Sequence, residues 1–320
     1  MYNIKIADAS LINTNGYQIK IFNDNFYYKI DTFSNTAEGI TEELTSKLLN
    51  FSNLEKEKYV NYEFGIVNDK RSCRSKNFLL QDQKLINFST LSKQIQKFPL
   101  DYFVDNFHST GKGIDYTIKF ITDNFDVDVK DYLRSCITLD YIIKNTDRDF
   151  SNLALIKESN SYKTSPIFDN ANGLMSCENF NRYKSIEDNL KDLSYKPFSR
   201  DIKEMYEYFG PGFKVDFSAF LNYLNENYNI KENEYGFIQL QILKYQCERL
   251  KDTELDANLK LEDKIESLIS ETEKPFYEIK DGKIILNNAA KKECDELLKN
   301  GVIKDVRQYP AFKDSQNINR

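Results

Sequence analysis

Asn145-Thr146-Asp147-Arg148-Asp149-Phe150-Ser151-Asn152, followed by Ser165-Pro166-Ile167-Phe168-Asp169-Asn170, decides the reading of this chain. Asp147 and Asn152 lie five residues apart, and Asp169 comes seventeen after Asn152. Each group sits at the end of an apolar run. Between Asp147 and Asn152 the chain can turn once and return, and Leu153-Ala154-Leu155-Ile156 then reads as a short buried strand that anchors the Asn end. After the polar turn Glu158-Ser159-Asn160-Ser161, residues Tyr162 to Phe168 read as the hairpin partner, which carries Asp169 back beside Asn152. A carboxylate, an amide and a second carboxylate are thereby brought together.

That donor set suits phosphoryl transfer. ATP brings several negative charges, so its γ-phosphoryl group moves only when metal ions neutralise the oxygens while a carboxylate orients the nucleophile. In kinases a loop Asp accepts the proton of the attacking hydroxyl, an Asn five residues later holds Mg²⁺, and a separate Asp bridges metal and phosphates. On this pattern Asp147 is the candidate catalytic base or orienting carboxylate, and Asn152 and Asp169 are the candidate metal ligands.

Two upstream residues extend the pattern. Gln18 to Ile21 and Phe26 to Ile30 flank Asn23-Asp24-Asn25, which predicts a hairpin with Lys29 on its second strand. Asn35-Thr36-Ala37-Glu38 reads as a helix N-cap with a capping-box acid, and Ile40, Leu44, Leu48 and Phe51 then repeat at helical spacing. Glu42 falls beside that stripe. An ion pair from a strand lysine to a helix glutamate fixes the ammonium where phosphates bind. Glu42 is the candidate partner of Lys29, with Glu38 and Glu43 as alternatives.

The run Asp140 to Asn152, with Pro166-Ile167-Phe168-Asp169, resembles the catalytic core of the HipA-like serine/threonine kinases, in which the pattern is close to N-x-D-R-H-x-x-N and then P-x-(Y/F)-D. The likeness is to the short members of the cell-translocating kinase A type, and it covers residues 12 to 200. It implies ATP and Mg²⁺ as cofactors, a protein Ser/Thr hydroxyl as acceptor, a nucleotide lid at Asn15-Gly16, and a strand and hinge around Lys76-Asn77-Phe78 that meet adenine. Gly16, Lys76 and Phe78 therefore join Lys29 and Glu42 as cofactor-binding candidates. The resemblance also allows an antitoxin-like or host partner, an effector secreted or translocated into host cells, and autophosphorylation near the lid, at Ser10 or Thr14. Four features depart from the pattern: Asp149 stands where the family has His, Asn170 follows the metal Asp where the family has an aromatic or small residue, no G-x-G-x-x-G is present, and Arg71-Ser72-Cys73-Arg74-Ser75 is polar for a buried strand. Asp149 beside Asp147 favours metal and tends to raise neighbouring carboxylate pKa values.

The expected fold is α+β and kinase-like in two lobes: a small β-rich lobe over 1–80 and a larger, mainly helical lobe over 81–320. Val129 to Lys144 reads as a buried helix feeding the Asp147 loop. Residues 170–194 are polar and read as a mobile substrate-side loop. Helices are expected on Phe217 to Leu224, Phe237 to Leu250 and Leu259 to Ile269, then an Asp281-Gly282 hairpin and a helix over Ala289 to Leu298. The 320 residues suffice for a sizeable core. A net charge of −6 argues against nucleic acid as a preferred partner. No apolar run is long enough to span a bilayer and no signal peptide is visible, so a cytoplasmic protein without membrane contact is expected. Five scattered cysteines with no C-x-x-C predict reduced thiols, and the single histidine, His108, reads as a loop residue. Two further readings follow from the same residues: a phosphatidylinositol-kinase-like lipid kinase, which lacks the basic amphipathic segment expected at an anionic membrane, and a pseudokinase serving as a regulatory module.

Overall fold

The computed structural model describes residues 1–5, 10–12, 18–257, 277–280, 283–286 and 288–299. Two compact units are present, Met1–Asn258 and Leu259–Arg320. The first is an α+β body with a sheet region and a larger helical region, the arrangement of a bilobed kinase-like fold.

Its sheet contains β1 (Tyr2–Ile4), β2 (Ser10–Ile12), β3 (Lys20–Asn23), β4 (Phe26–Ile30), β5 (Tyr62–Val67) and β6 (Lys70–Lys76), in the order β1-β5-β6-β4-β3-β2. β1 runs parallel to β5, and the other pairs are antiparallel. Two hairpins set the register. Asp24 and Asn25 turn β3 into β4 with φ of 48° and 65°, and Asn68 and Asp69 turn β5 into β6 with φ of 49° and 62°. Such left-handed pairs twist with the strands they join, and Asn and Asp tolerate them best after glycine.

The first hairpin places Lys20 opposite Lys29. Polar β6 is a genuine strand, with Ser72, Cys73 and Ser75 buried. Its small side chains let helix α1 (Glu38–Asn50) approach: a Cβ on Gly39 would lie 2.9 Å from the Ser72 carbonyl carbon and oxygen. The close approach at Gly39 brings α1 onto the strand that pairs with Lys29.

The start of α1 corrects the sequence reading. Its N-cap is Ala37, which makes no side-chain cap, rather than Asn35. Glu38 turns back to the Thr32 N–H and hydroxyl and to the Thr36 hydroxyl, while Asp31 accepts the Gly39 N–H at 2.8 Å. The Gly39 N–H is thus met by a loop acid and the Ile40 N–H by the Tyr235 hydroxyl at 3.4 Å, instead of by a capping box.

The helical region is built around α5 (Lys130–Ile143), which buries ten of its residues. It joins one core with α1, α2 (Phe88–Gln96), α3 (Leu100–Val104), α4 (Thr110–Phe125), α8 (Phe217–Asn227) and α9 (Phe237–Leu250). A small sheet, β7 (Gln83–Asn87), β8 (Ala154–Glu158) and β9 (Ser161–Thr164), carries the hairpin expected after the Asp147 loop. Between it and α9 come α6 (Ile186–Lys191) and α7 (Ile202–Phe209). Residues 170–194 do not form one free loop. Ala171, Leu174, Met175 and Ser176 are buried, the Leu174 N–H bonds the Ile143 carbonyl at 2.7 Å, and Ser185 caps α6. Leu174 and Met175 drive this half of the segment into the core.

In the second unit, β10 (Tyr277–Lys280) and β11 (Lys283–Leu286) pair antiparallel before the helix Asn288–Lys299, as the Asp-Gly signal predicts. The expected helix at Leu259 to Ile269 and the Asp281-Gly282 turn lie outside the described residues.

Candidate active site

Lys29, on β4, extends into the space between sheet and helix and meets two carboxylates. Its Nζ donates to Glu42 Oε1 at 2.6 Å and to Asp169 Oδ1 at 2.9 Å, and lies 4.7 Å from the Tyr62 ring centroid. Glu42, fully buried on α1, uses its other oxygen to accept the Asn170 N–H at 3.1 Å. Of the three candidate acids, Glu42 is thus the partner. Glu43 points elsewhere, taking the Phe64 N–H at 2.6 Å and the Tyr228 hydroxyl at 2.7 Å.

Charge in this cluster is mutually held. Burial disfavours the Lys29 ammonium, yet Asp169 and Glu42 keep its pKa well above the ordinary lysine value. Burial likewise works against an ionised Asp169, but Lys29, joined by Lys20 at 3.5 Å, holds it well below the usual carboxylate range. Burial pushes Glu42 above its ordinary value even with Lys29 beside it.

Asp169 itself adopts a left-handed backbone conformation, φ 59°. Arg148 fixes the segment on either side of it. The guanidinium is fully buried and spans three chain segments: it pairs with Asp140 on α5 through Nε and Nη2, each at 3.0 Å, and donates to the Phe168 carbonyl and to Asn170 Oδ1, each at 2.6 Å. Asn145 donates to the same Asp140 at 2.9 Å. One arginine thus ties the Asp147 loop, α5 and the Asp169 segment into a satisfied buried network, for which its planar fork suits it better than a lysine would.

Asp147 occupies the open side. Its oxygens meet Lys196 Nζ at 3.1 Å and Asn172 Nδ2 at 3.2 Å, and its backbone carbonyl accepts Asn152 Nδ2 at 2.7 Å. Partial burial raises its pKa, against the pull of Lys196. Because Asn152 spends its NH₂ on that carbonyl, its own carbonyl oxygen is turned to act as an acceptor.

Asn152 and Asp169 offer hard oxygen ligands of the kind Mg²⁺ takes. Among the described residues no group of three or more His, Cys, Asp or Glu is poised to hold a metal. This donor set fits an ion that is commonly held by one or two protein oxygens and completed by phosphates and water.

The remaining candidates are dispersed. Phe78 is half-buried, 6.4 Å from the Phe168 ring, at the edge of an apolar cluster with Val60, Tyr62 and Cys73. Lys76 is exposed at the end of β6, without contact to the Lys29 cluster. Gly16 and Thr14 lie outside the described residues, and Ser10 opens β2. His108 falls in an exposed bend.

Sequence reasoning missed Lys20, Asn172 and Lys196. Lys20 was within reach of it, because the hairpin register puts it across from Lys29. Asn172 and Lys196 meet Asp147 through contacts 25 and 49 residues apart, which no local pattern announces.

No protein-family model matches the chain, and no curated protein sequence matches it. Among solved structures, it is similar to the Helicobacter pylori proinflammatory kinase CtkA, with a TM-score of 0.49 and 16% identity over 78% of this chain and 95% of that one. It is also similar to a chain of the Shewanella oneidensis toxin–antitoxin complex of HipA, HipB and operator DNA, with a TM-score of 0.44 and 12% identity over 78% of this chain and 67% of that one. At these identities and scores, the functional reading has to stand on the side chains themselves.

Proposed function

We propose that this chain is an ATP- and Mg²⁺-dependent protein kinase that phosphorylates serine or threonine hydroxyls. The observation that carries this reading is the Lys29 ammonium held between Glu42 and Asp169, with Asp147 on the neighbouring loop. A buried cation fixed by a helix glutamate, beside a carboxylate that can bind metal, is what the phosphates of a nucleotide require.

Lys29 is the group that meets the α- and β-phosphates, and Glu42 keeps it extended. Asn152 and Asp169 would hold Mg²⁺, whose charge neutralises the phosphate oxygens. Asp147 accepts the hydrogen bond of the incoming hydroxyl and orients its oxygen toward the γ-phosphorus. As the new O–P bond forms and the bond to the β–γ bridging oxygen breaks, the hydroxyl proton passes to Asp147 and ADP leaves. Lys196 and Asn172 hold the Asp147 carboxylate in position. The half-open setting of Asp147 suits a polypeptide acceptor, which must reach the site from solvent.

The test is incubation of the purified protein with labelled ATP and Mg²⁺, followed by mapping of phosphosites on the protein and on a generic basic substrate. Labelled Ser or Thr is expected. A second reading, a nucleotide-binding module without turnover, is favoured by one observation: both Asp169 oxygens already face lysines. ATP binding with no labelled product in the same experiment would select it.

A further inference from the structure

A cavity of about 420 Å³ lies between the end of α5, the connection from α6 to α7, and the last turns of α9. Its walls include Tyr141, Lys144, Tyr195, Arg200, Asp201 and Arg249. Lys144 is its central feature. It caps α5 in a left-handed conformation, φ 56°, and the residue is only 9% exposed.

Among the described residues its ammonium meets no hydrogen-bond acceptor, resting instead over the Tyr141 ring, 4.4 Å from the centroid. Arg249 lies over the same ring at 5.6 Å, and among the described residues it commits its Nε, to Gln246 at 2.9 Å, and no other nitrogen. Buried cations are ordinarily paired, because desolvation costs several kcal/mol per ion. Among the described residues no carboxylate hydrogen-bonds the Lys144 ammonium, and the neighbouring cation, Arg249, is exposed and shares the same aromatic ring.

The charge around the cavity indicates what is missing. Lys191 and Lys203 have their own acidic partners: Glu187 and Asp188 for the first, Glu207 for the second. Lys144, Arg200 and Arg249 face a single carboxylate, Asp201, one oxygen of which caps α7 through the Lys203 N–H. Three cations against one carboxylate leave two positive charges when Lys144 is protonated. A carboxylate ligand would cancel one of them; a phosphate monoester, carrying close to two negative charges at neutral pH, cancels both and offers three acceptor oxygens.

We propose that this cavity binds a phosphate monoester, held by the Lys144 ammonium and the Arg249 guanidinium over Tyr141. The proposal is independent of the phosphotransfer reading. It rests on no residue of the Lys29 cluster, although both flanks of Asp147 border the cavity: Lys144 precedes Asn145, and Tyr195 precedes Lys196. Lys144 is driven down to about 7, by burial first and by Arg249 second, with Asp201 opposing. An anion reverses the balance, so at pH 8 binding draws about one proton from solution.

Calorimetric titration of the full chain with inorganic phosphate, with a phosphoserine peptide, and with its unphosphorylated counterpart tests this. Run at pH 8 in two buffers of different ionisation enthalpy, it is expected to give saturable binding of the first two ligands with proton uptake. Lys144→Met and Arg249→Gln should each weaken binding at least tenfold. Arg249 is exposed, so its replacement reads the site even if the buried Lys144→Met variant folds poorly. Lys203→Gln, at a cavity lysine already paired with Glu207, should leave the phosphate isotherm nearly unchanged. A phosphopeptide that binds more tightly than inorganic phosphate identifies the ligand as peptide-borne, and equal affinities identify the free anion. The proposal is overturned if neither ligand binds saturably, if binding survives the Arg249→Gln change, or if Lys203→Gln weakens it as much as Arg249→Gln does.

Discussion

Lys29 and Asp147 are both held by ion pairs, yet in opposite ways. The Lys29–Glu42 pair is buried, with side-chain exposures of 8% and 0%, while Asp147 and Lys196 are 41% and 52% exposed. Around Lys29 every charge is matched, and removing one leaves the others stranded in low dielectric. At Asp147 water can replace a lost partner, so the pair adds little to stability and serves mainly to aim a carboxylate. One end of the site is an assembled part of the fold, and the other is left accessible to an acceptor.

Lys29→Met gives this contrast its hardest test. It leaves Glu42 and Asp169 without their shared cation and should destabilise the protein by about 3–5 kcal/mol in denaturant unfolding. Asp147→Ala in the same assay should change stability by no more than about 1 kcal/mol. Equal losses would erase the distinction between the two ends.

Turnover should rank the same residues differently. Asp147→Ala is expected to cut it by roughly two or more orders of magnitude with nucleotide affinity nearly unchanged. Near-normal turnover would remove Asp147 from its role. Asp169→Asn should weaken Mg²⁺-dependent ATP binding more than Asp149→Asn does, because it removes an anionic ligand at the buried end. The reverse order would mean that Asp149 is the metal residue.

The smallest expected effect is in pH. Asp169 is depressed, so its contribution to stability is present above the unfolded Asp value of about 3.9 and fades only as pH falls through its lower folded value. Lys29 is raised, so its contribution is complete below about 10.4 and fades only above that. These two groups therefore keep their full contributions from about pH 4 to about pH 10, while Glu42, raised by burial, holds its proton to a higher pH than a free Glu does. Asp147 is raised instead, so the acid limb of the rate profile should have its midpoint above about 3.9. Lys196→Ala removes the cation that opposes the rise and should move that midpoint further up. A midpoint that does not move would show that another group sets the limb.

Much of this was legible in the sequence where neighbours in sequence are neighbours in space. The Asp147 loop, the β8–β9 hairpin and the helix feeding them are local, and hairpin and helix periodicities were enough to suggest Lys29 and Glu42. What was missed depends on distance along the chain. Arg148 reads as a motif residue, but its burial against Asp140, Phe168 and Asn170 is a property of the assembled body. The stretch after Asp169 reads as polar, although Leu174 and Met175, with φ of 52° and 56°, carry it inward. Propensity gives no warning of an apolar residue in a left-handed conformation, since tertiary packing imposes it.

Glu42 and Glu43 are consecutive, and on a helix consecutive side chains diverge by about 100°. One grips Lys29 and the Asn170 N–H, while the other grips the edge of β5 and the Tyr228 hydroxyl. Helix α1 is therefore keyed on two faces against rotation about its own axis. Any roll that released Lys29 would also tear Glu43 from Phe64 and Tyr228. A control mechanism that works by turning this helix would have to break the Glu43 contacts together with the ion pair, because β5 is tied through β6 to the strand that carries Lys29.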